Sequence, residues 1–512
     1  MGRDRTRPAL PEFRTWVRDD AACEQALLRG DPVEVDLTGY GANDYLLEFL
    51  VGSGLWATLT GMEPDRLKKE NGKPWRALNG VQVLRELAGI GQISGCGKVI
   101  RDTRLMIAAG FNAEAVTRAG RKAAGLLDPE TLANHLGRIS RASAVRTFIE
   151  HVRDLKKRRW ISGSVYAVDA HEIIVPYGRQ SERLGKVGDK YGYKLVLLLN
   201  ITPGGERIVG FAIAPLWASE RTMLKRILRR GAAEFGDLSK WIKILVMDRG
   251  YWGAEFLSSL KRTYGMDYVT RLQHEELEVT QEVRLALKEP SWRWSSCREE
   301  RSRLGTVEVR YGAVPHVPWY DEHGVSWGTT NVVVAEEWDL QGTRLRDPKT
   351  QEIRETIYYA TSLSLKSDPY GIRKYYLSRW SIENQGFREL TQRWQLDRLA
   401  GRTWRAIVAR IAFVLMLYNA EHILREKYPG PWSQEREELR RQGDQGLIGG
   451  LSVATYTPSG QLGLMTPDRY RRLLLLGERR AVASRIRQAM QRGESLDSLL
   501  SEFSDDPPQP PK

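Results

Sequence analysis

Cysteines and long apolar segments are both scarce in this sequence. The chain of 512 residues has three cysteines, Cys23, Cys96 and Cys297, which lie far apart. This spacing excludes a disulfide framework or a cysteine-rich zinc site, and it fits a reducing compartment. The longest apolar segment, 411–418, is far shorter than the roughly 20 residues that cross a membrane. No apolar segment follows the basic N-terminus as in a signal peptide, so we expect a cytoplasmic protein with no membrane partner.

Positive charge is in excess. The 78 Lys and Arg residues against 64 Asp and Glu give a formal charge of +14. Such an excess attracts polyanions, of which nucleic acid is the commonest, although surface charge can also serve solubility alone. A chain of 512 residues is too long for one compact core, so we expect two or more domains.

The hydrophobic pattern changes along the chain and divides it into regions. Apolar residues three and four apart predict helices in the N-terminal part, and short apolar runs between turn residues then predict a sheet with helices. Alternating, tryptophan-containing segments interrupt that sheet region. We therefore expect an N-terminal arm over 1–40, a helical N-terminal domain over 41–160, an α/β (α+β) core over 161–274 and 360–428, a β-rich insertion over 275–359, a helical C-terminal region over 429–505, and a disordered tail over 506–512.

Two aspartates follow apolar runs typical of buried strands. Asp169 ends the run 165–168, and Asp248 ends the run 244–247. A lone aspartate at a strand end is usually a turn or cap residue. As a pair, the two are expected to emerge at the same end of parallel strands.

A third acid, Glu383, lies on a predicted helix that begins at Asp368. Tyr376, Arg379 and Glu383 are spaced so that they share one helix face. A lone glutamate on such a helix is usually a surface residue, but a Tyr, an Arg and a Glu together beside a predicted core are unlike a solvated face. Three carboxylates brought together could hold two divalent metals for phosphoryl transfer.

These residues lie in strings that resemble the IS4-type (Tn5-like) DDE transposases of bacterial insertion sequences. The strings are Val168-Asp169-Ala170, Asp248-Arg249-Gly250-Tyr251 and Tyr376-x-x-Arg379-Trp380-x-Ile382-Glu383. The spacings of 79 and 135 residues between the three acids are also similar, and the longer gap holds the family's β insertion. The resemblance covers roughly residues 45–425.

The resemblance implies an RNase H-like catalytic core with an inserted β domain, between helical N- and C-terminal domains. Asp169, Asp248 and Glu383 would coordinate two Mg²⁺ ions, for which Mn²⁺ can substitute. The implied activity is cleavage of double-stranded DNA at the terminal inverted repeats of an element and joining of the 3′-OH to target DNA. The N-terminal domain would recognise the ends, the C-terminal region would support a homodimer, and the protein would associate with the nucleoid.

Contacts to DNA are also implied, at Tyr376, Arg379, Arg388, Arg249, Tyr251 and Arg271. The family usually has Lys seven residues after the glutamate. That position is Leu390 here, and Arg388 lies close by as a substitute for the missing charge. For Arg249, Tyr251 and Arg271, a surface or packing role is about equally common.

Two other functions compete with an active transposase. One is a non-catalytic DNA-binding relative that recognises ends without cutting, against which the presence of all three acids argues. The other is a hydrolase with paired carboxylates, such as a glycosidase. The basic charge of the chain and a helix that carries both Arg379 and Glu383 are poorly explained by a glycosidase.

Overall fold

The structure is a computed structural model of the chain. It describes residues 17–493 except 32, 39–43, 66–72, 112–126, 177–179, 204, 273–276, 302–304, 322, 348–349, 366–367, 400, 428–451, 460 and 466. The chain forms two compact units, one of residues 1–138 with 427–512 and one of residues 139–426. The predicted tail over 506–512 lies outside the described residues.

Helices and strands alternate along the described chain. The helices are α1 Asp20–Arg29, α2 Asp44–Gly52, α3 Leu55–Thr60, α4 Trp75–Leu87, α5 Gly97–Arg101, α6 Thr103–Ala108, α7 Pro129–Leu136, α8 Arg141–Lys157, α9 Glu220–Phe235, α10 Ala254–Tyr264, α11 Glu278–Leu287, α12 Pro369–Ser378, α13 Arg388–Gln392, α14 Trp404–Lys427 and α15 Pro467–Gln491. The strands are β1 Val17–Arg18, β2 Glu34–Thr38, β3 Val165–Ile174, β4 Gly185–Val187, β5 Lys190–Asn200, β6 Arg207–Pro215, β7 Ile244–Met247, β8 Asp267–Arg271, β9 Ser295–Arg301, β10 Gly305–Tyr320, β11 Ser326–Trp338, β12 Ile357–Thr361, β13 Ser452–Tyr456 and β14 Gln461–Met465. Short 3₁₀ turns span Ile93–Cys96, Leu238–Lys240 and Arg249–Tyr251, and a π-helical turn spans Ile382–Phe387.

The first unit joins both ends of the chain in one small sheet, with strand order β1-β14-β13-β2. Val453 of β13 pairs with Leu37 of β2 and with Met465 of β14. Val453 and Met465 pack against Leu27 of α1 in a small apolar core. The arm predicted over 1–40 therefore contains structured elements, and the C-terminal region predicted as helical contains a β-hairpin before α15.

The second unit is built on a large mixed sheet. Strands β4 and β6 both pair with β5 along the edge opposite β3. Strand β5 is antiparallel to β3, β3 is parallel to β7, and β7 is parallel to β8. Helix α9 connects β6 to β7, and α10 connects the parallel pair β7 and β8, as parallel strands require a crossover. This mixed α/β arrangement is consistent with the expected RNase H-like core.

The β-rich insertion extends the same sheet. Strand β12 pairs with β8, where Tyr359 lies opposite Arg271, and β11, β10 and β9 follow outward. Trp319 of β10 and Tyr358 of β12 belong to the same hydrophobic core as Tyr268 of β8. The insertion predicted over 275–359 therefore does not form a separate sheet but continues the sheet of the core. Alternation predicted the strands, but it carries no information on the strand that each one pairs with.

Helix α8 also belongs to the second unit, although the helical N-terminal domain was predicted to extend to residue 160. Its Phe148 packs edge-to-face on Phe211 of β6, with ring centroids 5.0 Å apart. Ser140 caps the helix by accepting a hydrogen bond from the backbone N–H of Ser143. This helix therefore covers one face of the sheet.

Helix α14 is a central core helix of the second unit. It is long and apolar enough to cross a membrane by length and composition, but 94% of its apolar segment is buried inside the protein. Asn419 hydrogen-bonds both backbone groups of Ile208, at 2.8 and 2.9 Å, and so pairs with the edge of β6. Arg410, which is 1% exposed, donates to the carbonyls of Gln395 and Leu396 at 2.9 and 3.2 Å, which orders the segment before this helix.

Candidate active site

Asp169 and Asp248 lie side by side because their strands are parallel neighbours in register. Val168 of β3 pairs with Met247 of β7, so the next residue on each strand is an aspartate. Neighbouring strands lie about 4.8 Å apart, which keeps the two acids at one level of the sheet. The prediction that Asp169 ends its strand is wrong, because β3 continues to Ile174 on its pairing with β5. Only the pairing with β7 ends there.

The backbone around Asp248 is fixed by two further hydrogen bonds. The carbonyl of Asp248 accepts from the N–H of Tyr251 at 3.1 Å, which closes the 3₁₀ turn. The same carbonyl accepts from Oγ1 of Thr270 on β8, also at 3.1 Å. The Asp248 side chain is therefore presented from a rigid turn at the end of a buried strand.

The helix that carries the third acid begins where the sequence predicts. Asp368 caps α12 by accepting from the N–H of Gly371 at 2.9 Å, and Pro369 occupies its first turn. Beyond α12 the backbone winds through the π-helical turn Ile382–Phe387, in which the N–H of Arg388 donates to the carbonyl of Glu383. Such π-helical turns are rare in proteins, and many of those that occur lie at functional sites.

Two packing contacts accompany the π-helical turn. The hydroxyl of Tyr418 on α14 donates to the carbonyl of Gln385 at 3.0 Å. Phe387 stacks on the imidazole of His171, with ring centroids 5.2 Å apart, and His171 also contacts Asp397 at 2.9 Å. The turn therefore depends on side chains distant in sequence, which the helical periodicity does not reveal.

All three acids meet one face of this helix. Nη1 of Arg379 lies 2.5 Å from Oδ2 of Asp169 and 2.8 Å from Oε1 of Glu383. The hydroxyl of Tyr376 donates to Oδ1 of Asp248 at 3.0 Å. The side chain of Arg379 is 5% exposed, and that of Glu383 is 38% exposed, so the site opens to solvent on the side of the glutamate.

Burial and the charge of Arg379 dominate the electrostatics of Asp169. Burial raises the pKa of Asp169 to about 6, the charge of Arg379 opposes this, and Glu383 and Asp248 raise it further. Burial and then the charge of Asp248 raise the pKa of Tyr376, which keeps its phenol protonated as a donor. The arrangement therefore concentrates negative charge at a half-enclosed site, where a cation is stabilised.

The donor set fits divalent metal ions in its chemistry. Carboxylate oxygens are the ligands that Mg²⁺ and Mn²⁺ prefer, and Asp169, Asp248 and Glu383 are the residues that would supply them. Within the described part of the chain, no group of three or more Asp, Glu, His or Cys side chains is close enough to hold a metal ion. In this arrangement the guanidinium of Arg379 takes the place between Asp169 and Glu383, so a metal ion would have to share or displace those contacts.

A protein-family model described as "Transposase DDE domain" matches residues 119–420, which is more than half of the chain. The chain belongs to the transposase DDE domain family. Membership implies DNA transposase activity and DNA as the partner, and the family typically uses divalent metal ions. The matched range contains all three acids and the whole β-rich insertion. Comparison with the curated proteins gave no match.

Besides Tyr376 and Arg379, four residues of this transposase were implied as DNA contacts, and three of them are at least partly exposed to solvent. Arg249 is exposed directly after Asp248. Arg388 is exposed on α13, and the π-helical turn places it one turn after Glu383. Arg271 is half-buried at the end of β8 and forms an ion pair with Glu355 at 3.0 Å. Arg249 and Arg388 are therefore exposed, whereas Arg271 already has a carboxylate partner.

The structure corrects the role of Tyr251. Its side chain is fully buried in the hydrophobic core, so it packs the loop after Asp248 and does not reach DNA. Leu390, at the position of the family's usual Lys, is also fully buried. A lysine at this position would place an ammonium in the core of this chain, which is costly.

A buried ion cluster supports the helix face, and sequence inspection missed it. Arg373, which is 1% exposed on α12, lies 3.0 Å from Oε1 of Glu299 and 2.5 Å from Oε1 of Glu337. It also donates to the hydroxyl of Tyr359 at 2.9 Å, and the ring of Tyr359 lies 5.1 Å from that of Tyr376. The cluster fastens α12 to the strands of the insertion one turn before Tyr376. Its partners are distant in sequence, so no local pattern could have indicated it.

We expect this cluster to make stability depend on pH. Burial alone would raise the pKa of Glu299, but hydrogen bonds from Arg373 and Tyr370 outweigh it and lower the pKa from 4.5 to about 2. A lowered folded-state pKa stabilises the protein fully above the unfolded value, and this contribution is lost as pH falls through the folded value. Glu299→Gln should therefore cost about 2 kcal/mol at pH 7, with allowance for solvent screening.

The test is chemical denaturation of the wild type and of the Glu299→Gln protein between pH 7 and pH 3. The difference in the free energy of unfolding should shrink steadily below about pH 4.5. Glu300→Gln, at an exposed position on the same strand, is the matched control and should show no such convergence. A difference for Glu299→Gln that stays constant with pH would contradict the assigned cause.

Proposed function

We propose that this transposase is of the IS4 type: it binds the terminal inverted repeats of its element, cleaves DNA at the ends and joins the 3′-OH to target DNA. The observation that carries the proposal is the meeting of Asp169, Asp248 and Glu383 on one helix face through Arg379 and Tyr376. The spacing of the three motifs and the long insertion before the glutamate support the subfamily. Phosphoryl transfer with metals requires this convergence of carboxylates.

The residues of the chain prepare the site before DNA arrives. Strand register holds Asp169 and Asp248 at one level, and Tyr376 fixes the orientation of Asp248 by its hydrogen bond. Arg379 holds Asp169 and Glu383 together and presents a positive charge toward the scissile phosphate. Two bound Mg²⁺ or Mn²⁺ ions would supply Lewis acidity that activates a water or a 3′-OH and neutralises charge at the phosphorus. Acids held in place in this way lower the entropic cost of the reaction.

Several further features belong to the same proposal. The helical N-terminal region recognises the ends, the C-terminal region supports a homodimer, and the protein acts on the nucleoid in the cytoplasm. The formal charge of +14 supports a DNA partner. The exposed positions of Arg249 and Arg388 beside the acids support contact with phosphates at the cleavage site.

One observation favours a second function, that of a non-catalytic DNA-binding relative. The Arg379 guanidinium bridges two of the acids and stands where a metal ion is needed. A chain that kept this bridge permanently would bind DNA without cutting it. All three carboxylates are present in this chain, and a non-catalytic role would not need them, so we place the active enzyme first.

The test uses duplex DNA that carries the sequences flanking the chain's own reading frame. The purified protein is incubated with this DNA in Mg²⁺, Mn²⁺ or EDTA, and the ends of the products are mapped. We expect cleavage that leaves 3′-OH ends at the element's boundaries, followed by joining to a target plasmid, in Mg²⁺ or Mn²⁺ only. Specific end binding without nicking in either metal would instead establish the non-catalytic function.

A further inference from the structure

We infer that the solvent face of α9, together with Arg141 and Arg183, binds the phosphate backbone of duplex DNA that leads away from the active site. This inference rests on the proposed function and names the surface along which the substrate lies. The partner is a DNA duplex, recognised through its phosphates and independent of base sequence.

The two sides of α9 differ sharply in chemistry. One side carries buried apolar residues that pack on the sheet: Met223, Leu224, Ile227 and Leu228. The other side carries five cations: Arg221, Lys225, Arg226, Arg229 and Arg230. The two acids of the helix are engaged by other elements, Glu220 with Lys194 at 3.2 Å and Glu234 with Arg153 at 2.9 Å. None of the five cations forms an ion pair with a described residue.

Two more arginines enlarge this cationic face. Burial, then the charges of Arg226 and Arg183, lower the pKa of Arg141 at the start of α8. Burial and the charge of Arg141 also lower the pKa of Arg230, and the charge of Glu234 only partly opposes this. Like charges held this close destabilise the folded chain. A surface that only keeps the protein soluble does not need partly buried cations beside one another, whereas a polyanion laid across them relieves their repulsion.

The face begins at the catalytic loop. The backbone of Gly253, five residues after Asp248, leaves room for Arg221, whose Nη1 would lie 2.6 Å from a Cβ at that glycine. Arg221 and Lys225 line a cleft of about 700 Å³, together with Trp252 of this loop. The cationic face of α9 is therefore continuous with the turn that presents Asp248.

The length of the helix matches a useful stretch of DNA. At 1.5 Å per residue, the 16 residues of α9 extend about 24 Å. That distance corresponds to roughly seven nucleotide steps at 3.4 Å per step. A duplex whose cleaved phosphate lies at the acids can thus place several phosphates of the adjoining turn against this helix.

The experiment compares two variants that each remove two exposed positive charges. One is Arg226→Gln with Arg229→Gln on α9. The matched control is Lys288→Gln with Arg298→Gln, which are also exposed but lie outside α9, Arg298 on the opposite outer strand of the sheet. Binding of a fluorescent 30-base-pair duplex is measured by anisotropy in EDTA between 50 and 200 mM KCl, so that no cleavage is required.

We expect the α9 variant to lose phosphate contacts. The binding constant falls as salt rises, and each lost contact makes the plot of log K against log salt less steep by about 0.9. The magnitude of the slope should therefore decrease by roughly 0.9 to 1.8. The dissociation constant near 100 mM salt should rise about tenfold or more. The control should keep the slope of the wild type. Equal slopes for both variants would overturn the inference and would assign the face to solubility alone.

Failure of this inference and failure of the proposed function are distinguishable. If the wild type cleaves DNA while the α9 variant binds with an unchanged slope, the function stands and the α9 surface is excluded. If the slope falls as expected but no protein cleaves in Mg²⁺ or Mn²⁺, the surface stands and the catalytic proposal fails. A wild type that does not bind duplex DNA overturns both.

Discussion

Replacing any one of Asp169, Asp248 and Glu383 by alanine is expected to lower the rate of DNA cleavage about 10³-fold or more. Each carboxylate supplies oxygen ligands from a fixed position, and the other two cannot take its place. A loss of this size corresponds to about 4 kcal/mol of transition-state stabilisation. Binding of duplex DNA should survive, because the phosphate contacts lie on cations. Rates of nicking in Mg²⁺ and in Mn²⁺, measured with saturating protein, check the expectation.

Glu172→Ala is the control for this series. Glu172 lies three residues after Asp169 on the same strand, but it is exposed and faces Lys190 at 3.7 Å. Its replacement should leave the cleavage rate within about twofold of the wild type, as surface changes usually do. Nicking retained in any of the three alanine variants would remove that acid from the active site. A loss in the control equal to theirs would mean that the assay reports folding.

Replacing Arg379 by methionine is expected to lower both the folding stability of the protein and its rate of DNA cleavage. Without the guanidinium, Asp169 and Glu383 face each other unpaired, and breaking a buried ion pair costs about 3–5 kcal/mol. Because the Glu383 side chain is 38% exposed, we expect the lower end of this range for the loss of folding stability in EDTA. Cleavage should also fall, by about 10²-fold, through loss of a charge at the scissile phosphate.

Mn²⁺ should then stabilise the Arg379→Met protein more than the wild type. In the wild type a metal ion would compete with the guanidinium that contacts Asp169 and Glu383, whereas in the variant those carboxylates would be unpaired and would bind a cation more tightly. The readout is the rise in melting temperature with Mn²⁺ in the absence of DNA, which follows from binding to the folded state. Arg298→Met, at an exposed arginine of β9, is the control and should respond like the wild type. An equal response in all three proteins would show that Arg379 and the metal do not share ligands.

Much of the candidate site could be predicted from the sequence, because the patterns that indicate it are local. Two apolar runs that each end in an aspartate predict buried parallel strands, and the spacing of Tyr376, Arg379 and Glu383 predicts a shared helix face. What no local pattern contains is strand pairing. The extension of β3 beyond Asp169 depends on β5, and the C-terminal hairpin depends on β2, more than 400 residues earlier.

Other features were hidden for the same physical reason. The π-helical turn at Glu383 is accompanied by a hydroxyl on α14, and the burial of Tyr251 follows from its place in the sheet core. The contact of Tyr251 with DNA was implied by the family resemblance of the motif around Asp248, which does not indicate whether that side chain is buried. Arg373 carries no signal of its own in the sequence, because the carboxylates of Glu299 and Glu337 that bind it in the interior are distant along the chain.

The central claim is that Asp169, Asp248 and Glu383 form one metal-binding active site. The most direct test is the anomalous scattering of Mn²⁺ in crystals of the transposase bound to duplex DNA. We predict peaks within about 2.0–2.6 Å of carboxylate oxygens from all three residues, with the guanidinium of Arg379 moved from at least one of its two carboxylate partners. Manganese bound elsewhere, or Glu383 still held by Arg379 and away from the metal in a complex that cleaves DNA, would contradict the claim.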